Sequence, residues 1–454
     1  MRNLHLLYTL LFGLAYPHHL LYQEQFQLFL FDGNYVWDII KVPGGVADLL
    51  GRFCTQFFLY AWVGAAIIAV LLVAVQLLTS RLLNYQLSII NFQLLYGLSF
   101  VPSLLLWLFL LDENALLGGV WAVLLTLLAA WAVVRLSKGW AQRVLAIVAL
   151  PLVYWMVGPA LTGSHYHRYP EVVPWLLYAA WLSAILLPLI AHAVSTSLPS
   201  LRGRGWGWGL SGLLFLIMGV LVWKNANMKA ERVMGYDFMA RFQQWNRILE
   251  TINREKPNNQ IGVTVQNLAL AMHGQLVDHL FDYNQNGLLG LLPDVGTDAT
   301  SPLPTAEAFY QLGMVAVAQR TVFEAQEAIL DFQKSGRCYK RLAQTYLIQG
   351  DYAVARKYLA ALQKTLFYRA WANETLPLLG DEAAIDKHPE YGRLRQMDYK
   401  EDFYFGDHVT ADMLERLYFS NTDNRLAFQY LVAYYMLTGD RDGYTNLLQK
   451  IQKP

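Results

Sequence analysis

The run TGSHYHRYPE at residues 162–171 gathers the side chains best suited to chemistry. His165 and His167 have the spacing of two ligands to one metal ion, and the Glu171 carboxylate follows closely enough to complete such a set. Arg168 with the same two histidines would instead hold a phosphate or pyrophosphate. Asp32 and Asp38, in the segment 23–52, would then be the carboxylates able to act as a general base. The plainer reading is a polar loop at the level of lipid headgroups. It weighs more, because His-x-His spacing recurs often by chance.

Other candidates thin out quickly. His18 and His19 fall near the end of an apolar run, where an interfacial position suits them better than ligation. The glycine-rich GRGWGWG at 203–209 lacks the Lys-Ser/Thr and the preceding strand of a phosphate-binding loop. His273, His279, His388 and His408 are scattered, and neighbours such as Asp278 and His279 point to different sides of a helix. No Ser/His/Asp arrangement can be assembled from them. Two cysteines, Cys54 and Cys338, make neither a disulfide framework nor a zinc spacing. The net charge of +1 gives no footprint for nucleic acid.

The elements that must position these residues fall into two parts. Only 15% of the chain is charged, against about 25% for ordinary soluble domains. The shortfall lies before residue 224: that part holds 10 Lys and Arg and 7 Asp and Glu, against 25 and 27 after it. The fold expected is all-α: a transmembrane bundle over 1–223 and a soluble helical-repeat domain over 224–454. Runs at 4–22, 53–78, 88–111, 115–134, 142–161, 172–194 and 208–223 read as seven spans of about 20 residues. Pro102 is expected to kink the third.

Charge orients these spans. With the amino terminus inside, the inner loops hold seven basic residues: Arg2, Arg81, Arg135, Lys138, Arg143, Arg202 and Arg204. The outer loops hold Lys41, Arg52 and Arg168. All seven acidic residues (Glu24, Asp32, Asp38, Asp48, Asp112, Glu113 and Glu171) fall outside. Basic residues favour the cytoplasmic side, so an inner-membrane protein with a periplasmic carboxyl-terminal domain is expected. Residues 23–52 are expected to lie on the outer membrane surface, with Val46 to Phe53 as an interfacial helix and Asp48 and Arg52 paired one turn apart.

In the second part a Gly turn between two amphipathic helices recurs. The best copy runs from Arg337 to Phe367 and turns at Gly350-Asp351; a second begins at Arg425, and weaker copies centre on Gly313 and Gly274. Phe428, Leu431, Tyr435 and Gly439 repeat Tyr339, Leu342, Tyr346 and Gly350 at a constant offset. The pattern resembles the tetratricopeptide repeat and predicts a short solenoid whose groove takes a protein or peptide, with Tyr346 and Arg356 on the groove. Residues 284–305 read as a long loop.

The segments GNYVWDIIKVPGGVADLLGRFCTQFF (33–58), QNLALAMHGQLVDHLFDYNQNGLLGLLP (266–293) and Gly313 through Trp371 together resemble an uncharacterised family of bacterial polytopic membrane proteins with a carboxyl-terminal helical-repeat domain. That resemblance implies an architecture and no chemistry. Two functions follow as expectations. In the first, the membrane part presents a periplasmic repeat domain that binds a protein or peptide partner during cell-envelope assembly, with no cofactor. In the second, the layout is that of a glycosyltransferase using lipid-linked sugars. Asp32 or Asp38 would then be the base, His165, His167 and Arg168 would hold the lipid pyrophosphate, and a divalent metal would be admissible.

Overall fold

The computed structural model describes residues 2–86, 97–136, 138–162, 174–197, 206–294, 296, 298, 300–329, 333–401 and 409–452. Among these the chain is helical, with no strand. It divides into two compact units, Met1–Glu231 and Arg232–Pro454, whereas the change of composition lies at 223/224.

The first unit contains α1 (Arg2–Leu10), α2 (Pro17–Glu24), α3 (Gly33–Ile40), α4 (Gly45–Thr55), α5 (Ala61–Gln86), α6 (Val101–Phe109), α7 (Leu117–Leu136), α8 (Trp140–Thr162), α9 (Pro174–Ser197) and α10 (Trp206–Asn225). Helix α11 (Met228–Arg241) follows. Three of the described helices are long and apolar enough to cross a membrane: Ala61–Leu83, Leu117–Leu136 and Trp140–Gly158. Counting the α10–α11 pair as one span, despite its 59° bend, makes four. Seven were expected.

The reasons for the shortfall are local. The run 4–22 is no single helix: a π-turn over Leu11–Ala15 ends at Tyr16, and Pro17 opens α2. Proline has no N–H to continue the ladder and drives the residue before it out of helical geometry, which Tyr16 shows at φ −135°. In the run 88–111 Gly97 and Leu98 are helical, a turn follows at Ser99 and Phe100, and Pro102 lies in the first turn of the helix that begins at Val101, so the described helix is interrupted just before this proline.

Helix α4 lies across the start of α7. A Cβ on Gly51 would stand 2.5 Å from the backbone N of Gly118, so the two backbones approach as closely as two glycines allow. Small residues bring apolar helices together in this way. The contact sets the 33–55 segment at one end of the long apolar helices. The core of the unit gathers around Phe12, Phe58, Ile68, Leu72, Trp107, Val120 and Leu177.

The second unit is built from helix pairs. Its elements are α12 (Trp245–Glu255), α13 (Gln260–Met272), α14 (Leu276–His279), α15 (Pro302–Leu312), α16 (Val315–Ala328), α17 (Gly336–Gln349), α18 (Tyr352–Leu362), α19 (Arg369–Thr375), α20 (Glu382–Lys387), α21 (Tyr391–Met397), α22 (Thr410–Ser420), α23 (Arg425–Thr438) and α24 (Arg441–Gln452). The pairs α13–α14, α15–α16, α17–α18 and α23–α24 turn at Gly274, Gly313, Gly350 and Gly439, all with positive φ. At Gly350 the N–H of Asp351 returns to the Tyr346 carbonyl at 2.8 Å, and at Gly313 the N–H of Met314 returns to the Phe309 carbonyl at 2.9 Å. This closure of a helix end demands a left-handed residue, which glycine adopts without strain.

Successive pairs pack on one another, α15 on α16, α16 on α17 and α17 on α18. The last pair does not extend the row. Helix α23 packs back on α13, α14 and α15. Gln429 Nε2 donates to the Ala271 carbonyl at 3.0 Å, and Asn424 Nδ2 to the Leu312 carbonyl at 2.8 Å. In a linear solenoid each repeat touches only its neighbours; here the chain closes on its own beginning.

Candidate functional site

Asp32 and Asp38 belong to one helix and have different surroundings. Asp32 is the N-cap of α3: its Oδ1 accepts from the backbone N–H groups of Asn34 and Tyr35, both at 3.1 Å. Tyr35 in turn donates its hydroxyl to the Leu28 carbonyl at 2.8 Å. Phe29 packs edge-on against Phe31, Tyr35 and Phe53. Asp38 is exposed and pairs with Lys41 one turn on. The expected pair Asp48 and Arg52 is present, with Arg52 Nη2 at 2.7 Å from Asp48 Oδ2. Burial works against the Arg52 charge, but the Asp48 carboxylate outweighs it and holds that proton above its ordinary pKa. His165, His167, Arg168 and Glu171 lie outside the described residues.

Tyr346 and Arg356 lie on the best-formed helix pair. Tyr346 on α17 stacks on Tyr358 of α18 at 5.9 Å between ring centres. Tyr339, two turns earlier, meets the same Tyr358 edge-on at 5.0 Å. The three half-buried rings form a ladder along the seam of the pair. Arg356 is exposed on α18. Among the described residues no hydrogen bond or ion pair joins Arg356 to Tyr346. Near the ladder, the Lys340 ammonium stands 5.0 Å from the centre of the Trp371 ring, a cation–π arrangement.

The polar residues that α17 buries were not evident in the sequence. Arg337 pairs with Asp237 of α11, with the Nη2 to Oδ1 contact at 2.8 Å, and the two side chains are 7% and 19% exposed. One turn later Arg341 Nη2 reaches both oxygens of Glu307 on α15 at 2.6 Å. Its guanidinium carbon lies 3.6 Å from the centre of the Tyr310 ring. Burial opposes the Arg341 charge, but Glu307 and the groups beside it hold its pKa up. Arg337, Arg341, Gln344 and Thr345 recur at helical spacing. Helices α16 and α18 flank α17, α21 packs on it, and Glu307 of α15 reaches this polar stripe at Arg341.

A second buried network explains the motif QNLALAMHGQLVDHLFDYNQNGLLGLLP. Asn267 on α13 donates to Gln285 Oε1 and to the Gly290 carbonyl, both at 2.9 Å. Gln266 donates to the Asn284 carbonyl at 3.1 Å. These amides fasten the loop after α14 onto a buried helix face.

The family model for DUF6057, described as a family of unknown function, matches residues 3–164 and 159–454. The chain belongs to this family. The match runs through both units, and so includes the Gly-turned pairs, the polar stripe of α17 and the Asp32 cap. No curated protein matches the chain, and no solved structure does.

Proposed function

We propose that this protein is a membrane-anchored binding protein. Its apolar helices lie in the inner membrane with the amino terminus cytoplasmic. Its tetratricopeptide-like second unit faces the periplasm and holds a protein or peptide partner in cell-envelope assembly. The membrane reading is supported by α8, which exposes Val144, Ile147, Val148, Leu150, Leu152, Tyr154 and Trp155. A continuous apolar face of this kind suits hydrocarbon and is a liability in water.

The binding reading rests on one observation, the Tyr339–Tyr358–Tyr346 ladder with Arg356 exposed on the same helix pair. Tyrosine and arginine carry much of the energy of protein interfaces because they offer large contact area with polar tips. The test is complementation of a deletion strain. Arg356→Glu combined with Tyr358→Ala should lose function, and Asp32→Asn, which keeps a capping side chain, should retain it. The reverse pattern would reject partner binding in favour of lipid-linked glycosyl transfer. A carboxyl-terminal reporter active only in the cytoplasm would overturn the topology.

A further inference from the structure

Among the described residues of the second unit, several buried side-chain donors meet no acceptor, Thr264 Oγ1 and Tyr430 Oη among them, and three of these donors stand close together: Tyr310 Oη, Gln311 Nε2 and Arg341 Nη1. They belong to one cluster. Tyr310 and Gln311 are consecutive on α15, and Arg341 lies over the Tyr310 ring. The amide of Gln311 is held by Arg393 of α21, whose Nη2 donates to Gln311 Oε1 at 2.9 Å. Glu390, at the start of α21, stands beside Tyr310 without closing a well-formed hydrogen bond. Its Oε1 is 3.9 Å from Arg341 Nη1, an ion-pair distance too long for a hydrogen bond.

A buried donor without an acceptor costs free energy, and here all three unmet groups are of one kind. The local charge has the same bias. Lys340, Arg341 and Arg393, with Arg241 close to Lys340, stand against Glu307 and Glu390, so positive charge is in excess. Burial, followed by the nearby Arg341 and Arg241, pushes the Lys340 ammonium below its ordinary pKa. Lys340, Arg341, Glu390 and Arg393 are all partly exposed, so the cluster reaches the surface.

We propose that this cluster binds a single carboxylate group, supplied by a small organic acid or by an acidic side chain of a partner. A carboxylate brings negative charge to a cluster that has positive charge in excess, and enough lone pairs for three donors. The three donors of this site are not part of the tyrosine ladder, although Lys340 lies near both.

Calorimetric titration of the full-length chain in detergent tests the proposal. The probes are succinate, a glutamate-containing pentapeptide, and the neutral counterparts succinamide and the same peptide with glutamine. Saturable binding of a carboxylate probe and not of its neutral counterpart is expected. Binding of succinate alone assigns the site to a free acid, and binding of the peptide alone to a partner side chain. Tyr310→Phe should weaken binding about tenfold by removing one buried donor. Its thermal midpoint should not fall, because the hydroxyl lacks an acceptor in the free protein. The proposal is overturned if no carboxylate binds, as expected of a cluster filled by water alone. It is also overturned if neutral counterparts bind equally well or if Tyr310→Phe binds with unchanged affinity.

Discussion

Glu231 accepts the backbone N–H of His19 through Oε2 at 3.0 Å, across 212 residues of chain, and its Oε1 accepts the N–H of His18 at 2.8 Å. Proline at the start of α2 leaves these two amides at the open end of a short helix. No side chain of the residue before that helix caps them, so the carboxylate does so from outside the segment. Tyr16 joins the same staple: its hydroxyl accepts the Asn227 N–H at 2.6 Å.

The staple predicts a pH dependence. Burial pushes the Glu231 carboxyl from 4.5 up to about 7, against the two backbone N–H groups that favour the anion. Helix α11 carries Lys229, Glu231, Arg232, Asp237 and Arg241, too many charges for hydrocarbon, so this group titrates outside the apolar segments. A carboxyl that is a weaker acid when folded takes up a proton on folding. Its contribution is therefore greatest below about pH 4.5 and declines as pH rises to about 7, by on the order of 2 kcal/mol. The difference in thermal midpoint between wild type and Glu231→Gln, measured from pH 4.5 to 7.5, should follow that decline. A wild-type advantage that grows with pH would mean that the helix end holds the anion more strongly than burial opposes it.

The Asp237–Arg337 pair should be costly to break on one side only. With both side chains largely buried, Asp237→Ala removes the carboxylate that offsets a buried guanidinium charge, and a loss of about 3 kcal/mol is expected. Replacing both residues, with Asp237→Leu and Arg337→Met, should recover most of it. Denaturant unfolding of the three variants checks this, and a double variant no better than the single one would show that the neighbours depend on the charges.

How far the sequence revealed these features depended on the range of each interaction. Gly274, Gly313, Gly350 and Gly439 mark helix turns in the sequence because the requirement for positive φ is local. The Asp48–Arg52 pair was equally legible, since its partners are one turn apart on one helix. The count of spans was not, because an apolar run does not show how far its helix continues past a break such as Tyr16–Pro17. Glu307 and Arg341 are 34 residues apart, and nothing in either neighbourhood marks them as partners. The return of α23 onto α13 through Gln429 depends on packing that no periodicity encodes.

Asn267 offers a test of the loop fastening. Its amide is fully buried and serves both Gln285 and the Gly290 carbonyl. Asn267→Leu keeps the volume and strands the Gly290 carbonyl, which should cost about 1–3 kcal/mol. Limited proteolysis should then cut within 284–292 faster than in wild type. Unchanged cleavage would mean that Gln266 and the loop backbone hold the segment by themselves.

Two glycines should fail for opposite reasons. A Cβ at Gly350 meets nothing within 4 Å, and only its φ of +90° resists substitution. Gly350→Ala should therefore cost about 1 kcal/mol, and Gly350→Asn less, because asparagine tolerates the left-handed region. Gly51 has ordinary helical geometry, but its Cβ would meet Gly118 at 2.5 Å. Gly51→Ala must push α4 off α7, for about 1–3 kcal/mol, and Gly51→Asn should be worse than alanine because the obstacle is volume. Thermal midpoints of the four variants would show the inverted order of alanine and asparagine at the two sites. The same order at both would mean that the α4–α7 approach is looser than two touching glycines require.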